Sequence, residues 1–466
     1  MFREQRQRCM LACVMCVGRE IVKFILAVLC FQYFAKASGN IRRNFATKSR
    51  YPQYNDDNHD IVKVPNGCSP LHLNMVLRHG TRYPGKKDIK GMDELAGYIN
   101  QFHNKETTYG NLKMPWVNRF KYGDKFLAKV GAEELYNISR RIRRKFPSLF
   151  SPKYSGEQHY FVSTMTPRTS QSASAFSFGL FEGTGVLGPS KFQPVAITTT
   201  NLTEPLLRFF DICSEYIQRV SENKEISLVE FHKFKDGEEM TNLKAAFAKR
   251  LNITDHSGLT SAHIQYIFLS CAYELAIYGD GQLCSILHDS ELDIIEYMYD
   301  IKNYWKRGYG YKINYDMSCL LLKNLTESIE NVVKSLGTSV AYTQAIFHFS
   351  HAETIIPLVC LMGLFKDNEP LLANNYRKQK NRQFRTANIA PFSGNIAVVL
   401  YSCKSDDEKS GMFYVQVLAN EIPAALPCCD AKELCPLNQF RACFRHIVEQ
   451  CDLHSICNSP SNHNEL

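Results

Sequence analysis

Two short clusters in this 466-residue chain carry side chains that could do chemistry together. Arg78-His79-Gly80-Thr81-Arg82-Tyr83-Pro84 sets a histidine among guanidiniums, and His351-Ala352-Glu353 sets a carboxyl group beside a second imidazole. Nearby cations lower a histidine's pKa, which makes His79 a poor general base. Its neutral imidazole is nevertheless a good nucleophile toward an anion that the arginines hold. The matching anion is a phosphoryl group, because a planar guanidinium donates in pairs to phosphate oxygens, where charge spreads in the transition state. Attack by His79 would give a phosphohistidine for water to cleave. The leaving alkoxide needs a proton, and Glu353 is the carboxyl group that the pattern offers. The plainer reading makes Arg78 and Arg82 surface charges and His79 an ordinary strand-end residue; one short string alone does not separate the two.

The elements around these clusters favour the chemical reading. Residues 71–77 (LHLNMVL) form a short, partly alternating apolar run that predicts a strand ending at Arg78. Residues 345–350 (AIFHFS) predict another, followed by His351 and a helical-looking apolar stretch with Pro357 in its first turn. Both clusters then sit at the carboxyl ends of strands in an α/β core, the usual ligand position in open α/β sheets. Residues 201–334 show helical periodicity and few strand signals, so a mostly helical insertion separates the two core halves. Strands are expected again at 396–401 and 412–418. The divisions are a lead segment 1–37, an irregular lead-in 38–66, core parts 67–200 and 335–427 around the insertion, and a cysteine-rich tail 428–466.

The length favours two or three domains, or one large domain with an insertion. With 45% hydrophobic and 22% charged residues the chain builds real cores. Its net charge is +9, of which the first 37 residues supply +4, too mild an excess for a protein that coats nucleic acid. Arg3, Arg6, Arg8, Arg19 and Lys23 precede the apolar stretch 24–34, and Ala35-Lys36-Ala37 offers a small-x-small cleavage site, so residues 1–37 read as a secretory signal. Left uncleaved, the segment would be an anchor, although the apolar run is short for a membrane span. Cleavage leaves thirteen of the seventeen cysteines, at least one of them unpaired, in an oxidising lumen. The six cysteines from 428 to 457 contain no C-x-x-C, which favours disulfides over zinc. Glycosylation acceptors at Asn137, Asn201, Asn252 and Asn324 fit the same compartment. The chain ends His-Asn-Glu-Leu, similar to a retention signal, so the expected location is the endoplasmic reticulum lumen, with a possible retention receptor, or the exterior.

Other motifs exclude more than they suggest. Gly183 to Gly188 matches G-x-G-x-x-G, but the strand before it and the helix after it are missing. No P-loop, zincin or nucleophile-elbow string is present. Basic clusters at Lys86-Lys87, Lys306-Arg307 and 377–385 are either solvated faces or a rim that attracts a substrate with several phosphates.

Taken together, these residues resemble the clade-2 histidine phosphatases, and within them the multiple inositol polyphosphate phosphatases. R-H-G-T-R-Y-P is similar to that family's signature, and His351-Ala352-Glu353 to the subgroup's proton-donor motif, where other phosphatases of the clade carry His-Asp. The likeness extends through LLRFFDIC (206–213), YWKRGYGY (304–311), LMGLFKDNEP (361–370) and NYRKQKNRQFR (375–385), and covers most of residues 66–420. It implies a phosphoglycerate-mutase-like α/β core, with a central, mostly parallel sheet flanked by helices and an inserted helical cap. It also implies His79 as nucleophile, Glu353 as donor, and Arg78, Arg82, Arg168 and His351 as ligands of the reacting phosphate. A helix N-terminus that receives an anion is the physical support for Arg168. No metal or organic cofactor is implied. The implied substrates are inositol hexakis- and pentakisphosphate, with 2,3-bisphosphoglycerate, a general acid-phosphatase activity or phosphate binding without catalysis as alternatives. A Cys68–Cys403 bridge would pin the first core strand to a late one, and the short spacing of Cys451 and Cys457 suits a local loop closure.

Overall fold

The computed structural model describes residues 44–52, 64–103, 107–110, 112–121, 123–150, 153–254, 258–404 and 412–458. Residues 1–37, the expected signal with Cys9, Cys13, Cys16 and Cys30, and the last four residues lie outside the described residues. Within them, no helix is long and apolar enough to cross a membrane.

The strand expected at 71–77 is the centre of the molecule. It forms β1 (Cys68–Arg78), one of ten strands among the described residues, with a separate hairpin of β2 (Thr107–Tyr109) and β3 (Leu112–Met114). The others are β4 (His159–Ser163), β5 (Thr198–Thr199), β6 (Ala345–Ser350), β7 (Asn395–Cys403), β8 (Met412–Ala419), β9 (Ile422–Pro423) and β10 (Leu434–Pro436). The main sheet runs β10-β8-β7-β1-β6-β4-β5, with β9 paired to β8. From β1 through β6 and β4 to β5 the pairs are parallel, and from β1 through β7 and β8 to β10 they are antiparallel.

Parallel strands covered on both faces are apolar nearly throughout, and β1 follows that rule on one face and departs from it on the other. Its Leu73, Met75 and Leu77 pack with the helices Lys129–Lys145 and Pro167–Phe181 on one face. Its Val76 joins the apolar cluster on the other face. His72 and Asn74, polar residues in a core strand, reach Ser328 of the helix Cys319–Ser335, and His72 Nδ1 donates to the Thr343 carbonyl at 2.7 Å.

Among the described residues, 201–334 contain helices and no strand. The longest are Glu238–Arg250, Ser261–Tyr278, Asp289–Arg307 and Cys319–Ser335. Their apolar faces share one cluster with the sheet, where Ile264, Phe268, Tyr297 and Leu325 meet Val76, Ile396 and Val398.

Within the lead-in, Phe45 and Ala46 are buried, and Arg78 Nη1 donates to the Thr47 carbonyl at 2.6 Å and the Ala390 carbonyl at 2.8 Å. A buried guanidinium needs acceptors, and main-chain carbonyls of a polar segment supply them without any sequence signal. The structure revises three local expectations. Pro357 lies in the second turn of its helix, Ala352–Leu361, because that helix starts directly at the strand's end. Cys451 and Cys457 do not close a local loop. They bridge Cys319 and Cys213, stapling the tail across the helical region, while Cys428–Cys443 and Cys429–Cys435 close within the tail. Finally, the basic run 377–385 is only partly a solvated face: Arg377, Lys378 and Lys380 are exposed, but Arg382 is buried against Asp300 at 2.6 Å and Glu296 at 3.3 Å, and Arg385 pairs with Glu296.

Cys68 and Cys403 face each other across β1 and β7 and are bonded, Cys271 pairs with Cys284, and Cys360 is a buried free thiol. The Cys319–Cys451 bridge closes a 132-residue separation. Replacing both partners by serine is expected to lower stability by about 2–4 kcal/mol, read as a lower denaturant midpoint. An unchanged midpoint would show that the staple does not constrain the unfolded chain.

Candidate active site

The sheet brings three strand ends to one place. In the parallel register Arg78 of β1 lies opposite Ser350 of β6, so His79 and His351 leave the sheet side by side with ring centroids 5.8 Å apart. On the far side of β6, Ser163 of β4 pairs with Phe349, which carries Thr164, Thr166 and Arg168 to the same edge. Arg168 is the second residue of the helix Pro167–Phe181, and Glu353 is the second residue of the helix that His351 caps.

The R-H-G-T-R turn is fixed by contact with the helix Lys129–Lys145. A Cβ on Gly80 would stand 2.3 Å from the Gly131 carbonyl oxygen, so only glycine lets the two backbones meet. Glu134 of that helix is buried and accepts from the Thr81 amide at 3.0 Å, the Thr81 hydroxyl at 2.9 Å and the Ser393 hydroxyl at 2.8 Å. Burial pushes its pKa up, although these donors and Arg50 pull the other way.

His79 is 3% exposed, and its Nδ1 lies 2.9 Å from the Gly80 carbonyl oxygen. A carbonyl only accepts, so Nδ1 carries the proton and Nε2 keeps its lone pair. Burial first, then Arg78, Arg168, His351 and Arg82, hold the His79 pKa well below the ordinary range. The sequence pattern pointed to the cations; burial, which needs the fold, is the larger cause. His351 is neutral for the same reasons, pushed down to about 3 by burial and then Arg168. Its Nδ1 faces Arg168 Nη2 at 3.3 Å, and its Nε2 faces the hydroxyls of Thr164 and Thr166, each at 3.1 Å, and Arg208 Nη1 at 3.4 Å.

A cavity of about 260 Å³ opens above these groups. Among the described residues seven basic side chains line it, Lys48, Arg78, Arg82, Lys125, Arg168, Lys302 and Arg307, against one carboxylate, Glu353; burial, then Arg82 and Arg78, push the Lys48 ammonium well below its ordinary range. Arg78, Arg82, Arg168 and Arg307, with the neighbouring Arg208, each keep a buried Nε–H that has no hydrogen-bond partner. Buried donors are nearly always satisfied, so five orphans at one site mark a place built for an acceptor-rich anion. Burial and then Arg82 push Arg78 down to about 9 and Arg168 to about 10, the mark of cations crowded together. The Glu353 side chain is 37% exposed on the cavity, and its Oε1 accepts from Arg307 Nη2 at 3.1 Å. Its enclosure would push the carboxyl up, but Arg307 and, further off, Arg78 outweigh that and hold it far below the usual carboxylate range.

All six residues singled out in the sequence for the reacting phosphate therefore reach one edge of the sheet. Lys48, Lys125 and Lys302 were not singled out. Lys48 lies in the polar lead-in, and the other two carry no local signal. Of the basic clusters, Lys306-Arg307 is the one that reaches the cavity, through Arg307. The 183–188 string closes on itself through a Leu187–Phe192 bridge, after a helix rather than a strand.

Both strand-end clusters lie inside the stretch that matches a known family. The chain belongs to the histidine phosphatase superfamily, branch 2, whose pattern matches residues 71–420. Within that branch it is 32% identical over 438 residues to multiple inositol polyphosphate phosphatase 1 of Gallus gallus, covering 91% of this chain and 95% of that relative. It is a phosphatase of that subgroup. The fold matches the phytase from D. castellii with a TM-score of 0.71 at 16% identity, over 90% of this chain and 87% of that one. It also matches the multiple inositol polyphosphate phosphatase of Bifidobacterium longum in complex with inositol hexasulfate, with a TM-score of 0.66 at 16% identity, over 86% and 97%.

Proposed function

We propose that this phosphatase removes phosphates from inositol polyphosphates through a covalent phosphohistidine on His79. One observation carries the reading: seven basic side chains face one carboxylate in a single cavity. A lone phosphate is served by Arg78, Arg82 and Arg168. Lys48, Lys125, Lys302 and Arg307 remain for further phosphates of the same molecule. The inositol hexasulfate held by a relative of the same fold, a ring with anionic groups all round, supports that choice.

In this mechanism the arginines hold the reacting phosphate against His79 and take up the charge that spreads over its oxygens. The Nε2 lone pair forms the P–N bond as the ester P–O bond breaks, and the leaving oxygen takes a proton from Glu353. Water then attacks phosphorus, its proton passes to the Glu353 carboxylate, and the P–N bond breaks to release inorganic phosphate. Arg78 is anchored by two carbonyls and lies 4.5 Å over the Phe392 ring, which fixes its fork before substrate arrives.

The secretory destination is part of this proposal. The six disulfides among the described residues suit an oxidising compartment, and Asn137, Asn201 and Asn252 are exposed while Asn324 is half-buried. Retention in the endoplasmic reticulum and export remain the two destinations.

The test is turnover on inositol hexakisphosphate, 2,3-bisphosphoglycerate and glycerol 2-phosphate. The values of kcat/KM are expected to fall in that order, and equal values would contradict a site built for many phosphates. Lys302 adds a pH signature. Burial, then Arg307, Lys306 and Lys87, push its ammonium down to about 8, and a bound polyanion raises it again. Binding therefore takes up a proton above about pH 8, so KM for the hexakisphosphate rises as pH passes that value. Lys302→Met flattens the rise; an unchanged slope in that variant would remove Lys302 from the binding surface.

A further inference from the structure

The proton donor of the proposed mechanism stands in the wrong state. Glu353 must carry a proton when the ester bond breaks, yet its Oε1 is paired with Arg307 at 3.1 Å. That guanidinium is itself only partly satisfied: Nη1 donates to Asn303 Oδ1 at 3.1 Å, and Nε is buried without a partner. Arg307 is the last residue of the helix Asp289–Arg307, and both it and Glu353 line the cavity.

The position of Arg307 is not adjustable. Its helix ends at Gly308, where a Cβ would stand 2.6 Å from the Phe384 ring, and the Gly308 amide donates to the Asn303 and Tyr304 carbonyls. The backbone is held while the fork of the side chain looks into the cavity. A phosphate group arriving there offers a guanidinium two parallel charge-assisted hydrogen bonds, and it brings negative charge close to Glu353.

We infer that Arg307 is a specificity-determining positioning residue: it holds Glu353 as a carboxylate in the unliganded cavity and is drawn off by a second phosphate of the substrate, so the donor takes up its proton only when a polyphosphate binds. This rests on the proposed function and adds that discrimination against monophosphates lies in kcat as well as in KM. The proton comes from solvent on binding, passes to the leaving oxygen when the P–O bond breaks, and is replaced by one from the attacking water.

The other groups facing Glu353 do not move with the substrate in the same way. They are Lys48 from the lead-in, Arg78 at the end of β1, Arg168 at its helix start, His351 beside it, Lys306 next to Arg307, and Asp211 and Tyr216 from the segment after Arg208. Arg78 is tied to two carbonyls and Arg168 faces His351. Arg307 is the largest of the cationic influences on Glu353 and makes the direct ion pair with it.

The test compares pH profiles of kcat on inositol hexakisphosphate and on glycerol 2-phosphate, which has one phosphate and an equally poor leaving group. In the unmodified protein the limb that falls with rising pH lies at least about one pH unit lower for glycerol 2-phosphate, since Glu353 stays paired there. In Arg307→Gln that limb moves up to the hexakisphosphate position, so kcat on glycerol 2-phosphate at near-neutral pH rises about ten-fold, while KM for the hexakisphosphate increases. Coincident profiles in the unmodified protein, or no movement in Arg307→Gln, would overturn the inference. Absence of turnover on both esters would instead remove the proposed function beneath it.

A second measurement needs no Arg307 variant. Calorimetry of inositol hexasulfate binding near pH 6, in two buffers of different ionisation enthalpy, counts protons taken up. The unmodified protein should take up about one proton more than Glu353→Gln, and inorganic sulfate should show no such difference. Equal uptake in the two proteins would overturn the inference.

Discussion

His79→Ala lowers kcat on inositol hexakisphosphate by about 10⁵-fold or more and leaves its binding within a few-fold of the unmodified protein. The expectation follows from how the site divides its labour. The imidazole Nε2 carries the one lone pair placed to form a bond to phosphorus, because Nδ1 is committed to the Gly80 carbonyl. Binding rests on the seven basic side chains of the cavity, none of which is altered. Alanine also removes a ring that is 3% exposed beside the His351 ring, so inositol hexasulfate affinity, measured by calorimetry, checks that the pocket survives. Retained hydrolysis in a well-folded variant would assign the nucleophile elsewhere.

Glu353→Gln gives the second largest effect, and that effect depends on the leaving group. An inositol or glycerol alkoxide cannot depart without a proton, so these esters slow by about 10²–10⁴-fold. A p-nitrophenolate leaves unaided, so its transfer to His79 is much less affected. Glutamine is nearly isosteric and keeps the polar head at the second position of its helix, which limits the change to the missing proton. The ratio of the two rates, alkyl against aryl, is the measurement that checks the role. Equal slowing of both would reduce Glu353 to a structural or binding group.

Much of this site could be read along the chain because its parts lie at the ends of strongly patterned strands. The strand predicted at 345–350 is β6, the one at 71–77 lies inside β1, and those at 396–401 and 412–418 lie inside β7 and β8. What the sequence could not show was adjacency. His79 and Glu353 are about 270 positions apart, and only the parallel pairing of β1 with β6 makes them neighbours. The residues missed share a physical feature: each contributes through position and not through local pattern. Lys48 sits in a stretch that reads as an irregular lead-in, and the Arg78 guanidinium bonds to the carbonyl of its neighbour Thr47. Gly131 and Glu134 act on the R-H-G-T-R turn from a helix some fifty residues later, one by absence of a side chain and one by a buried carboxylate. Conversely, the basic stretch 377–385 does two different things. Arg382 and Arg385 pair with Glu296 and Asp300 inside the protein while Arg377, Lys378 and Lys380 are exposed, a division that composition cannot show. The tail cysteines were overread in the opposite sense, since short spacing suggested a local loop where the structure makes two long-range staples.

The most direct test is capture of the phosphoenzyme. Glu353→Gln treated with ³²P-labelled p-nitrophenyl phosphate should transfer the phosphoryl group without needing an acid, then stall for want of a base to activate water. Quenching within milliseconds and mapping peptides under alkaline conditions should recover close to one label per chain, stable to base and lost in acid, on the peptide containing His79. Label on any other residue, or free phosphate released at full rate with no adduct at the earliest time, would contradict the account.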